Sequence, residues 1–93
     1  MPEVRFLGAV RQAAGKSSFG IDAGTVEQIL EALNRVTSPA CREFLFEGDR
    51  LRQDVEVLVN DRNITSLDGV KTALAPFDQV TLFIKGTRGL SAG

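Results

Sequence analysis

The sequence contains no histidine and a single cysteine. Without histidine there is no Ser–His or Cys–His catalytic pair, no histidine zinc ligand and no imidazole acid–base step. Carboxylates and lysines are the usual general-base groups that remain. The lone thiol, Cys41, excludes an intramolecular disulfide. Charge of neither sign dominates: the net charge is -1, so there is no basic footprint for nucleic acid and no polybasic segment for anionic lipid. No apolar run approaches the length of a membrane span. Met1-Pro2-Glu3 lacks the basic-then-apolar layout of a signal peptide, and cytoplasmic residence is the expectation. Glu27, Glu31, Glu43, Glu47, Asp49 and Asp54 show no paired metal-ligand spacing, so no metal site is expected. No Lys-Ser/Thr pair follows a glycine-rich stretch into a helix, which excludes a phosphate loop. There is no internal repeat, linker or low-complexity block. Together these absences weigh against a stand-alone enzyme.

What is present is a globular balance in 93 residues, 43% of them hydrophobic and 25% charged, enough for one core and not for two. Glu3 to Val10 reads as a first strand, with Val4 and Phe6 on one face and Arg5 and Leu7 on the other. Arg11 to Lys16 reads as a turn in which Gly15 supplies a positive φ. Ser17 to Ile21 resumes as a short strand, and Asp22-Ala23-Gly24 closes the hairpin. Thr25 followed three residues later by Gln28 is a capping-box pattern. Behind it Val26, Ile29, Leu30, Leu33 and Val36 fall at helical spacing, and Ser38-Pro39 ends the helix. Ala40 to Phe46 reads as a helical turn. Val55 to Asn60 is a strand with Val55, Val57 and Val59 on one face and Glu56 and Leu58 on the other. Asn60 to Asn63 and Ser66 to Gly69 are turns. Gln79 to Ile84 is the last strand, where Val80, Leu82 and Ile84 alternate with Thr81 and Phe83.

The expected organisation is an α+β domain over residues 1–84 and an aperiodic tail over 85–93 that carries three glycines. One main helix covers one face of a mixed sheet. The other face is solvated or meets a partner.

Val4 to Lys16 resembles the opening segment of the molybdopterin-synthase small subunit and its thiamin-pathway relatives, the MoaD/ThiS family. Gly24-Thr25-Val26 and the leucine-rich helix resemble that family's helix entry. Val57 to Ile64 resembles its Val-Asn-Gly-Arg-Asp-Ile segment. Leu74 to Phe83 resembles its Leu-x-x-Gly-Asp-x-Val-x-x-Phe run, with Pro76-Phe77 where Asp-Gly is common. The resemblance covers nearly the whole chain and implies a ubiquitin-like, β-grasp fold. It implies a protein co-substrate rather than an enzyme: an E1-like adenylating enzyme uses ATP to activate the C-terminal glycine carboxylate, and sulfur then replaces the leaving group as a thiocarboxylate. The implied acceptor is the molybdopterin synthase large subunit or another sulfur acceptor, in molybdopterin, tungstopterin or thiamin biosynthesis. Some members form isopeptide bonds to lysines instead. No cofactor is bound by the carrier itself.

The tail departs from the family's Phe-Pro-Pro-x-x-Gly-Gly ending. Counted from Phe83, Gly89 falls at the family's last glycine and Arg88 at the penultimate one, and four further residues end at Gly93. Three readings stay open. Gly93 is the reactive residue on a longer tail; or the last four residues are removed to expose Gly89; or the domain is a non-conjugating interaction module with a degenerate tail. Glycine suits a carboxylate that threads into a narrow site, because it has no Cβ to clash.

By strand phase Leu7, Leu58 and Phe83 share the face away from the helix. They form a docking surface, or they are ordinary exposed hydrophobes, or the irregular segment Ala40 to Leu51 covers them. Arg11 is near the partner interface by resemblance, or a solvated turn arginine. Lys85 and Arg88 either steer the tail into an acidic cleft or meet a phosphate, or are simply solvated. Cys41 is a sulfur relay or, the favoured reading, a small buried hydrophobe with no basic cluster to lower its pKa.

Overall fold

A computed structural model describes residues 1–16 and 18–85. Alternation of apolar side chains generates the sheet. In β1 (Glu3–Phe6) Val4 and Phe6 are buried and Glu3 and Arg5 exposed; in β5 (Val55–Val59) the three valines are buried. β7 (Gln79–Ile84) is the central strand, parallel to β1 and antiparallel to β5. β2 (Ser18–Gly20) and β6 (Arg62–Asn63) form the edges, so the order is β2-β1-β7-β5-β6. The parallel central pair β1–β7 needs a long crossover, and the helices lie within it.

The first strand is shorter than its sequence predicts. It ends at Phe6, and Gly8–Ala14 is a helix, α1, where a strand end and a turn are expected. Leu7 is still extended, Gly8 reverses the chain with φ 66°, and the alanine-rich run that follows is helix-forming. Only Val10 of this helix is fully buried, so its sequence carries too little periodicity to announce it. Gly15 closes it in the left-handed conformation, its N–H donating to the Arg11 carbonyl. Arg11 therefore stands on a helix, not in a turn.

The principal helix, α2 (Val26–Val36), is capped as its sequence predicts. The Gln28 N–H donates to Thr25 Oγ1 at 3.2 Å, while Gln28 Oε1 accepts from the Gly24 N–H at 2.7 Å. Val26, Ile29 and Leu33 are fully buried against Val4, Phe6, Val80 and Leu82. Val36 is the exception: it ends the helix 65% exposed, outside the core it was expected to join.

α3 (Pro39–Leu45) starts with Ser38 Oγ accepting from the Cys41 N–H, and with proline in the first turn, where a missing N–H costs nothing. It buries Cys41 and Leu45 on the helix side of the sheet and packs against α1. A hairpin, β3 (Phe46–Glu47) and β4 (Arg50–Leu51), turns at Gly48 with φ 65°. The segment Ala40 to Leu51 thus contributes to the helix-side core and leaves the opposite sheet face uncovered. Asn60 and Asp61, both at positive φ, make the tight turn from β5 to β6. Short 3₁₀ turns at Ile64–Ser66 and Gly69–Lys71 lead back toward β7. None of the described helices is long and apolar enough to cross a membrane.

Candidate functional site

The sheet face without helices is built from alternate residues of β1, β7 and β5. Register places Arg5 and Leu58 on either side of Thr81, and Glu56 opposite Phe83. The Leu7 N–H donates to the Leu82 carbonyl at 3.1 Å, which extends the β1–β7 ladder by one residue and brings Leu7 level with Phe83. Leu7 is 45% exposed, and Leu58 and Phe83 are half-buried. The three predicted apolar residues thus lie on one face, as their strand phases require. Thr81, between them in the sheet, is buried.

One end of the face is polar throughout, and the other sets Leu7 and Phe83 beside an ion pair. Where β7 begins, Gln79 accepts from Arg5 at 3.3 Å and donates to Glu3 at 3.0 Å. Where β7 ends, Leu7 and Phe83 adjoin Lys85, whose N–H donates to the Asp54 carbonyl at 2.8 Å. Lys85 Nζ stands 3.6 Å from Glu56 Oε2, and Asn63 Nδ2 donates to Glu56 Oε1. Glu56 is a residue that sequence reasoning passed over. Its signal was its phase: it alternates with the buried valines of β5 and so must face the open side, opposite Phe83.

The remaining predicted residues are more dispersed. Arg11 is exposed on α1 and borders a shallow depression with Gly8, Gln12, Gly15 and Lys16. Arg88, Gly89 and Gly93 lie outside the described residues. Cys41 is fully buried, and burial pushes its thiol pKa up. That environment suits a packed small hydrophobe and disfavours a thiolate. Among the described residues no group of three Cys, Asp or Glu side chains is placed to hold a metal ion.

The geometry offers a rigid apolar patch beside the point where the chain leaves its central strand. Such a surface can hold a partner protein.

Comparison with known proteins agrees with this architecture. The sequence profile of the ThiS family matches residues 4–84. Small archaeal modifier protein 3 of Haloferax volcanii is 31% identical over 84 residues, which cover 87% of this chain and 90% of that protein. The solution structure of small archaeal modifier protein 1 from Methanosarcina acetivorans superposes with a TM-score of 0.81 at 22% identity, covering 92% of this chain and 93% of its own. A chain from the Amycolatopsis orientalis BexX/CysO complex superposes with a TM-score of 0.74 at 19% identity, covering 90% and 94%. At these identities the structures establish the ubiquitin-like β-grasp fold, and the profile and the Haloferax relative establish kinship. This chain belongs to the ThiS family of ubiquitin-like small carrier and modifier proteins.

Proposed function

We propose that the chain is a protein co-substrate whose C-terminal glycine carboxylate is activated and converted to a thiocarboxylate. The observation that supports this reading is the apolar pair of exposed Leu7 and half-buried Phe83 at one end of the open sheet face. Leu7 and Phe83 lie beside Lys85, where the chain leaves β7. An E1-like adenylating enzyme would dock there and receive the segment beyond Lys85. In the reaction a carboxylate oxygen attacks the α-phosphorus of ATP and pyrophosphate leaves. A sulfur nucleophile then attacks the acyl carbon, and AMP departs with the oxygen. The carrier contributes the carboxylate and its positioning; the partner supplies the electrostatic stabilisation and uses the ATP. The carrier itself needs no bound cofactor. The acceptor of the sulfur is a biosynthetic enzyme, with the molybdopterin synthase large subunit as one instance. The similarly folded chain at 19% identity comes from a BexX/CysO complex, which supports a function exercised through a partner protein.

The reactive residue is Gly93, or Gly89 after removal of the four residues beyond it. The intact mass of protein purified from its host distinguishes them. Replacement of one oxygen by sulfur at either end establishes the carrier and locates its carboxylate. An unmodified mass after incubation with ATP, a sulfur donor and the host's activating enzymes would refute it. That outcome supports a second reading, favoured by Arg88 in the place of the family's penultimate glycine: a non-conjugating module that binds through the same face. Phe83→Asp then abolishes partner binding, and deletion of residues 90–93 leaves it intact.

A further inference from the structure

On the helix side of the sheet, away from Leu7, Leu58 and Phe83, a cleft of about 440 Å³ opens between edge strand β2 and helix α2. Phe19 and Ile21 form one wall, Ala32 and Val36 the other, and Phe6 and Cys41 line its floor. Val36 is the residue that leaves the core, 65% exposed, and the cleft is what it borders. Among the described residues lining the cleft, Lys16 alone is charged, and its Nζ stands 5.3 Å from the centroid of the Phe19 ring. The cleft is therefore apolar within and positive at one end.

Its sheet-side rim is an open edge. Hydrogen bonding alternates along an antiparallel pair. The Ile21 N–H donates to the Pro2 carbonyl at 3.0 Å, so Ile21 faces β1 with its backbone polar groups. Two residues away Phe19, paired with Val4, does the same; the intervening Gly20, paired with Glu3, directs its N–H and carbonyl outward, and so does Ser18. Among the described residues β2 is the last strand on that side. Outward backbone groups beside an apolar trough are what a docked strand needs: main-chain hydrogen bonds supply affinity and alternate side chains fill the trough.

We propose that this cleft is a second, non-covalent docking site, which takes an extended apolar segment of a partner protein as an added strand along β2. One side chain of the segment packs between Ile21 and Val36, and a carboxylate flanking its apolar residues meets Lys16. The proposal is independent of tail activation, because it uses neither the open sheet face nor any residue beyond Cys41.

The test uses the full chain, labelled with nitrogen-15, and two acetylated and amidated hexapeptides. Each has four alternating valines and isoleucines, with two aspartates before them in one and after them in the other. The two peptides distinguish parallel from antiparallel addition, since Lys16 precedes β2. One of them is expected to shift the amide resonance of Gly20 most, as its N–H acquires a partner, together with those of Ile21 and Val36. Lys16→Gln weakens that binding up to about fivefold, the range of an exposed ion pair. Val36→Asp weakens it about tenfold or more through the lost apolar contact. Val36 is largely exposed, so this variant retains its fold, which circular dichroism checks. Unchanged Gly20 and Val36 resonances with both peptides at millimolar concentration would overturn the proposal. So would shifts centred on Leu58 and Phe83, or undiminished binding by Val36→Asp.

Discussion

Asp78 closes the turn that starts the central strand, and its removal has a calculable cost. One carboxylate oxygen accepts from the Ala75 N–H at 2.8 Å and the other from Asn60 Nδ2 at 2.9 Å. Asn60 in turn accepts from the Gln79 N–H at 3.0 Å, so the carboxylate fixes the β5–β6 turn against the start of β7. These bonds hold the Asp78 carboxyl pKa below its ordinary value, the Ala75 backbone bond most and the Asn60 bond next. A hydrogen bond to a charged acceptor contributes about 1.5–3 kcal/mol, and a neutral one about 1 kcal/mol. Because this carboxylate is at the surface, where water competes, the low end applies, and Asp78→Ala is expected to cost about 1–2 kcal/mol. For a domain of this size that lowers Tm by about 4–16 °C. Asp78→Asn keeps one accepting oxygen and loses the other, so it should fall between the two.

The pH dependence has a definite sign. A carboxyl whose folded pKa is depressed contributes stability that is fully present above its unfolded value, about 3.9. That contribution fades as pH falls through the folded pKa. The stability gap between wild type and Asp78→Asn should therefore be widest near pH 7 and narrow below about pH 4. Urea unfolding of all three proteins at pH 7 and pH 3 measures it. A gap below about 0.5 kcal/mol at pH 7, within the ordinary effect of a surface substitution, or a gap that widens in acid, would refute the reasoning.

Leu82 is fully buried at the centre of the sheet, paired with Phe6 and Val57. Leu82→Ala should cost about 2–5 kcal/mol in urea unfolding. Leu7→Ala, on the open face, should cost under about 1 kcal/mol yet weaken association with the proposed activating enzyme, measured by calorimetry. Cys41 should be inert to a thiol reagent at pH 8 and react once denaturant is added, because burial both hides the thiol and disfavours its thiolate. Rapid labelling of the native protein would contradict that placement. Thr25→Ala removes the cap of α2 and should lower stability by about 1 kcal/mol, read from the shift in urea midpoint at unchanged slope.

The sequence by itself determined the elements whose signal is periodic. Val55, Val57 and Val59 alternate with Glu56 and Leu58, and that phase alone settles which side of β5 is buried. The same phase puts Leu7, Leu58 and Phe83 together on the open face. The Thr25–Gln28 box starts α2 through bonds that span four residues, so local sequence suffices. Where the determining contact is distant, the sequence was silent or misleading. α1 carries one fully buried residue in seven and is a helix because Val10 packs into the core and α3 lies alongside. Val36 continues the apolar stripe of α2 but falls beyond the buried surface, which only the placement of the helix on the sheet could reveal. Glu56 acquires Lys85 and Asn63 as neighbours through strand pairing. The cleft beside β2 likewise exists only because β1 takes the central partner and leaves β2 at the edge. Alternation and capping are properties of neighbouring residues and survive in the linear text. Strand order, and the surfaces it opens, arise from which distant segments compete to bury the same apolar face.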